Sequence, residues 1–277
     1  MSDPQTAPEL DPQAAPYPQT SPAALQVALR LRGLTKRFGA TTAVDRLDLD
    51  VPRGSFYGLV GPNGAGKTTT LSMATGLLRP DSGTAHVLGT DVWDDPVGAK
   101  SQIGILPDGL RLFDRLTGRQ LVTYAGLLRG MDRDLVAQRT GELLAALGLT
   151  DAAEKLVIDY SAGMTKKITL ACALVHAPRL LVLDEPFEAV DPVSARTIRR
   201  ILEDFAASGG TVVLSSHVMD LVERICTDVA IIAAGTVRAA GTLDDVRGGA
   251  SLEDRFLDLV GGSTDVEGLA WLRTSSD

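Results

Sequence analysis

The segment Gly61-Pro-Asn-Gly-Ala-Gly-Lys67-Thr68-Thr69 fits the pattern G-x-x-x-x-G-K-[ST]. It stands between a short apolar run, Ser55-Phe-Tyr-Gly-Leu-Val-Gly61, and a helix-like stretch from Lys67 to Leu78. A buried strand that passes through a glycine loop into a helix is one half of an α/β unit, so this feature commits the chain to helices layered on a sheet. The residue types follow from what an anion needs. Gly61, Gly64 and Gly66 let the backbone curl so that successive N–H groups point inward, with Pro62, Asn63 and Ala65 completing the turn. The helix opening near Gly66 adds its positive end. Lys67 reaches the β and γ phosphates, the Thr68 hydroxyl suits Mg²⁺, and Thr69 continues the first turn. Residues 61–69 are therefore the candidate nucleotide site.

Such a site needs carboxylates for the metal and for water. Arg179-Leu-Leu-Val-Leu-Asp184-Glu185-Pro186 has the required form, four apolar residues ending in two acids. Unpaired acids are excluded from the body of a buried strand, so at its tip they face a cation or a polar cleft. Asp184 is expected to hold Mg²⁺ through water, and Glu185 to orient or deprotonate the attacking water. Without Lys67 in the same chain the two acids would be read as a turn or a helix cap.

The rest of the chain is consistent with this half-unit. Val27–Gly33 and Ala43–Val51 alternate with a period of two, as half-buried strands do. Short apolar runs recur at Gln102–Leu106, Leu180–Leu183, Thr211–Leu214 and Val229–Ala233, most of them beside helical spacing. That alternation predicts a mostly parallel sheet flanked by helices. Between about Arg111 and Leu156 strand signals vanish, and Leu121, Tyr124, Leu127, Leu128, Leu143, Leu144 and Leu147 take helical spacing. A helical subdomain, about 111–177, is expected as an insertion into a main domain of 25–241. Residues 1–24 hold six of the fourteen prolines and almost no large apolar groups, the composition of a disordered tail. Residues 242–277 read as a short helical extension, with pieces at Leu243–Arg247 and Leu252–Val260.

Composition narrows the function. With 27 basic against 35 acidic residues and a net charge of −8, the chain is a poor partner for a phosphate backbone, and no nucleic acid is expected. At 4% aromatic content it also lacks the means for base-stacking platforms. Cys172 and Cys226 have no metal-type spacing and read as reduced thiols of a cytosolic protein. The start lacks the pattern of a signal peptide, and no run of about 18 apolar residues would cross a bilayer. Work at a membrane would need a partner to bring the chain there.

With these residues in place, the sequence resembles the nucleotide-binding subunits of ABC transporters over roughly Val27 to Gly241. Phe38, in Lys36-Arg-Phe-Gly39, stands where the family has an aromatic ring that stacks on adenine. Ile103-Gly-Ile-Leu-Pro-Asp108 resembles the segment ending in the Q-loop residue. Tyr160-Ser-Ala-Gly-Met164 resembles the signature motif, ahead of a helix-like run from Thr165 to Ala177. Ala189-Val-Asp191-Pro192 resembles the D-loop, and Ser215-Ser-His217 the switch-histidine segment. The resemblance rests on the order of all these motifs. It implies a P-loop NTPase fold of RecA-like type with an N-terminal antiparallel β subdomain. It also implies an ATPase that works with Mg²⁺ as a head-to-tail dimer and drives a separate transmembrane permease from the cytoplasmic face.

In that reading Lys67, Glu185 and His217 are catalytic, and Thr68, Asp108 and Asp184 serve the metal. Ser161, Gly163 and Asp191 meet the nucleotide held by a second ATPase subunit. Two departures stand out: Asp108 replaces the usual Gln, and the signature reads Y-S-A-G-M, with Ala162 adding a methyl beside the phosphate path. The motif variant and the C-terminal stretch Leu252–Val260 are similar to those of ATPases paired with ABC-2-type exporters. Two rival readings remain open on the sequence: a regulatory or degenerate cassette with little hydrolysis, and a soluble ABC protein outside transport.

Overall fold

A computed structural model describes residues 26–109 and 112–261; the proline-rich stretch 1–24 and the polar end beyond Gly261 lie outside the described residues. The chain begins with two long strands, β1 (Val27–Phe38) and β2 (Thr41–Pro52), paired antiparallel. Their alternation is the one read in the sequence: Leu29 and Leu31 point inward, while Arg30 and Arg32 face out and meet Asp50 across the pair at 3.3 and 2.6 Å. With β4 (Ser82–Val87) and β5 (Thr90–Asp91) they form a four-stranded sheet in the order β2-β1-β4-β5. This is the antiparallel subdomain expected from the resemblance.

The second sheet has six strands. β3 (Phe56–Val60), β6 (Ile103–Leu106), β7 (Leu180–Leu183), β8 (Thr211–Ser216) and β9 (Asp228–Ala233) run parallel in the order β9-β3-β8-β7-β6. Antiparallel β10 (Thr236–Thr242) closes the edge beside β9. Because the parallel strands are covered on both faces, their residues divide by parity between two cores. Leu181, Leu183, Val212, Leu214, Val229 and Ile231 pack on one side. Leu180, Val182, Val213, Ala230 and Ile232 pack on the other, toward the antiparallel sheet. The side chains of β7 are wholly buried, as its unbroken Leu-Leu-Val-Leu run requires.

Among the described residues seven α-helices lie between strands, α1 (Lys67–Ala74), α2 (Pro96–Ser101), α3 (Gly118–Leu128), α4 (Arg133–Ala146), α5 (Ala162–Leu174), α6 (Pro192–Ala207) and α7 (Met219–Ile225), and two follow β10, α8 (Leu243–Arg247) and α9 (Leu252–Val260). Helix starts are written in the sequence. Thr117 and Gln120 form a reciprocal capping box at α3, and Ser161 caps α5. Asp191, followed by Pro192 at the first helical position, caps α6. Among the described residues no strand lies between β6 and β7, where α3, α4 and α5 stand instead. Helix α5 packs on β6 as well as on α3, α4 and α6, which ties this helical stretch to the sheet.

The functional consequence lies at one edge. The loops leaving the C-terminal ends of β3, β6, β7 and β8 begin at Gly61, Pro107, Asp184 and His217 respectively. In open α/β sheets that edge is where ligands bind.

Candidate functional site

The glycine loop leaves β3 and is clamped by its surroundings. A Cβ on Gly61 would run into the carbonyl of Ile232, and one on Gly66 would sit 2.5 Å from the Ala43 carbonyl oxygen. Gly66 also has φ of 101°, a backbone region that favours glycine. The turn closes with Ala65 N–H donating to the Pro62 carbonyl at 3.1 Å, after which α1 begins. Lys67 folds back over the loop and is only 6% exposed. Its ammonium donates to the carbonyls of Gly61 at 2.7 Å and Pro62 at 3.3 Å. Burial pushes its pKa below the ordinary lysine value, and the carboxylates of Glu185 and Asp184 pull it back up.

At the end of β7, Asp184 is 4% exposed. Its carboxylate accepts a hydrogen bond from the Ser215 hydroxyl of β8 at 2.5 Å. The same hydroxyl accepts from the Glu185 backbone N–H at 2.8 Å, so one serine links both acids. Glu185 has φ of 44°, unusual for a residue with a side chain. One of its carboxylate oxygens lies 3.2 Å from His217 Nδ1 and 3.9 Å from Lys67 Nζ.

Phe38, Asn63 to Thr69, Asp108, Glu185, Glu188 and His217 line one cleft of about 450 Å³. Phe38 stands at its rim, 52% exposed, with the Lys36 ammonium 5.8 Å from the ring centroid. A smaller crevice of about 50 Å³ adjoins it and brings Thr68, Asp108 and Asp184 to one wall. These hard oxygen donors, one hydroxyl and two carboxylates, suit Mg²⁺, which takes one or two carboxylates and leaves much of its shell to phosphates and water. No group of three or more His, Cys, Asp or Glu side chains that could hold a metal occurs among the described residues.

Ser161, Gly163 and Asp191, singled out in the sequence, line neither the cleft nor the crevice. Ser161, at the start of α5, accepts from Met164 N–H at 3.3 Å and is exposed. Gly163 packs against the α6 cap: a Cβ there would lie 2.8 Å from an Asp191 carboxylate oxygen and 3.0 Å from the Ser194 hydroxyl. Asp191 accepts from Val193 and Ser194 N–H, both at 3.0 Å. The Ser194 backbone N–H chiefly holds its carboxyl below the ordinary range. The signature-like and D-loop-like residues therefore form a second cluster, separate from the lining of the phosphate cleft.

Sequence reasoning missed the roles of Ser215, Lys166 and Glu188. Ser215 lies in the segment that drew attention only for His217, and Glu188 lines the cleft. Lys166 donates to the Glu185 carbonyl at 2.8 Å and lies 3.8 Å from an Asp108 carboxylate oxygen. Its position in a run of polar residues inside α5 gave no sign of either partner.

Known proteins are similar to this chain in sequence and fold. The family model described as ABC transporter matches residues 44–188. The chain is 38% identical over 220 residues to the daunorubicin/doxorubicin resistance ATP-binding protein of Streptomyces peucetius, covering 79% of this chain and 67% of that one. It is 35% identical over 218 residues to the linearmycin resistance ATP-binding protein of Bacillus subtilis, covering 79% and 70%. A solved ATP-binding subunit of an ABC transporter superposes with a TM-score of 0.78 at 30% identity, over 84% of this chain and 99% of that chain. A dimeric ATP-binding cassette in a post-hydrolysis state with ADP and phosphate superposes with a TM-score of 0.72 over 78% of this chain and 98% of that chain; at 23% identity it supports the fold alone.

Proposed function

The chain belongs to the ABC transporter family as an ATP-binding and ATP-hydrolysing subunit that energises export, and from that premise we propose how its residues divide the work. Residues 61–69 hold the triphosphate of ATP, Lys67 pairs with its outer phosphates, and Phe38 stacks on the base. Thr68, Asp184 and, in place of the usual glutamine, Asp108 would hold Mg²⁺. When bound, that ion neutralises phosphate charge as the γ-phosphoryl leaves. Glu185 takes the proton from the attacking water, and His217, in contact with the same carboxylate, keeps water and γ-phosphate in line.

The carrying observation is the convergence on Glu185. Its carboxylate faces His217 and Lys67, while the neighbouring Asp184 is fixed through Ser215. A cassette that only bound nucleotide would have no need to hold a strained, largely buried acid beside the phosphate lysine. For that reason the regulatory reading is not favoured.

Ser161, Gly163 and Asp191 lie apart from the cleft of their own chain, and we assign them to the nucleotide of a second subunit. Two copies placed head to tail would complete two sites, each from one loop and one signature. Hydrolysis then removes a group that both halves grip, and their separation moves the permease. We place the permease contact on the helical subdomain 111–177 near Asp108. There Phe113 and Tyr124 are exposed and meet edge to face at 5.6 Å, with exposed Leu128 on the same helix. Among the described residues no helix is long and apolar enough to cross a membrane. Family membership supports attachment through the permease at the cytoplasmic face. The names of the two resistance relatives support extrusion of a small organic compound as the task.

The test is Glu185→Gln. It is expected to abolish steady-state phosphate release while leaving a dimer that ATP stabilises; turnover near the wild-type rate removes Glu185 from its role.

A further inference from the structure

We propose that Lys166 is a positioning residue for Glu185, and that its pairing with Asp108 makes the setting of the hydrolytic acid depend on where α5 sits. The proposal rests on the reading of Glu185 as the general base, and it adds a residue and a dependence to that reading.

The argument starts from backbone conformation. Glu185 has φ of 44°, a value that a residue with a Cβ keeps only when its surroundings over-determine it. Its side-chain contacts to Lys67 and His217 fix the carboxylate, but they do not hold the peptide units that aim it. Besides the turn bond from Glu188 N–H to the Glu185 carbonyl at 3.2 Å, those units are held by two side chains from different elements. Ser215 of β8 accepts from the Glu185 N–H at 2.8 Å, and Lys166 of α5 donates to the Glu185 carbonyl at 2.8 Å. The serine belongs to the neighbouring strand, so its position relative to β7 is set by the sheet ladder. Lys166 belongs instead to the helix that Ser161 caps and that carries Gly163 in its first turn, and it can withdraw if that helix moves.

The second partner explains why the lysine lies where it does. Asp108 Oδ1 lies 3.8 Å from Lys166 Nζ, and the lysine side chain is 18% exposed. A partly buried ammonium is stabilised by one charged and one neutral acceptor. The usual glutamine at position 108 would offer the ammonium a neutral carbonyl oxygen and no ion pair. The aspartate departure thus acquires a physical consequence: the loop after β6, the signature helix and the acid after β7 are joined by one ammonium group. Moving α5 would take the charged donor from the Glu185 carbonyl and leave only the Glu188 N–H, and Asp108 resists that movement. Lys166 touches none of the reacting atoms in this scheme.

The experiment uses the full chain with its permease and measures ATP turnover and nucleotide binding on the same preparations. Lys166→Met is expected to lower kcat about tenfold or more, the scale of one charge-assisted hydrogen bond, with KM for ATP changed less than about threefold. Lys166→Arg should recover most of that loss, since a guanidinium can donate to the carbonyl and pair with Asp108. Asp108→Asn, which keeps an acceptor but removes the charge, should cost less than Lys166→Met. A Lys166→Met enzyme within twofold of wild type overturns the proposal, as does a loss that Arg leaves unrepaired or one that falls wholly on KM. Should Lys166→Met fail to fold, Lys166→Gln is judged by the same three comparisons. Failure of the underlying reading looks different: Glu185→Gln itself would then retain turnover.

Discussion

At the scale of single residues, burial decides the protonation state of groups far from the nucleotide. His176 follows α5 and is half-buried. Its Nε2–H donates to the Ile103 carbonyl at 3.0 Å, while its buried Nδ1 has no partner among the described residues. Desolvation lowers its pKa from 6.5 to about 4, helped by the positive charges of Arg129 and Arg139 and opposed by the Ile103 carbonyl. The sign of the pH dependence follows. Between pH 6.5 and about 4 the unfolded chain takes up a proton that native His176 refuses, so stability present at neutral pH is lost as pH falls through that window. Wild type should therefore lose unfolding free energy more steeply across it than His176→Asn, which keeps a donor for the carbonyl but does not titrate. Chemical denaturation series at several pH values would check this; parallel slopes would refute a native histidine held neutral.

At the scale of elements, legibility followed burial. The strands β3, β7, β8 and β9 announce themselves as apolar runs because each is covered on both faces, and α8 and α9 fall where their spacing placed them. The strand β4, Ser-Gly-Thr-Ala-His-Val, is polar and exposed in its first half, so its pairing with β1 and β5, not its sequence, makes it a strand. The small residues of the edge strand β10 are equally mute, and α6 was not delimited although Asp191 and Pro192 mark its start. The candidate site was legible as far as its motifs, because phosphate chemistry dictates residue types. Links made by tertiary register were not: nothing local tells that Ser215 bridges Asp184 and Glu185. The glycine loop allows a sharp test of the same distinction. Gly64 and Gly66 both have positive φ, at 79° and 101°, but a Cβ on Gly64 meets nothing within 4 Å, whereas one on Gly66 meets backbone at 2.5 Å. Gly64→Ala should cost about 1 kcal/mol from conformation alone, and Gly66→Ala about 3 kcal/mol or more from conformation plus collision. In thermal melts the Gly66 variant should fall at least several degrees further, at about 2–4 °C per kcal/mol for a domain of this size. Equal shifts would mean that the contact with Ala43 relaxes freely.

At the scale of the whole molecule, the separation between the phosphate cleft and the cluster of Ser161, Gly163 and Asp191 makes a prediction about counting. If each site takes its loop from one chain and its signature from the other, a chain damaged only at Lys67 and a chain damaged only at Ser161 carry complementary defects. Lys67→Ala and Ser161→Arg should each be inactive as homodimers, the first for want of a phosphate grip and the second because a bulky side chain occupies the partner's γ-phosphate position. In a mixed dimer the intact loop of the Ser161→Arg chain faces the intact signature of the Lys67→Ala chain, while the opposite site combines both defects. Random assembly from equal amounts makes about half of the dimers mixed, each with one of two sites whole, so turnover should recover to about a quarter of wild type if the sites act independently. If the two sites must fire together, recovery would be smaller, but ATP should still slow exchange of labelled subunits in the mixed dimer relative to either parent, because one nucleotide is gripped from both sides. A site built within a single chain predicts neither effect. Co-assembling differently tagged variants and measuring both phosphate release and subunit exchange would decide between the arrangements, because damage confined to one chain cannot be repaired by a neighbour that contributes nothing to its site.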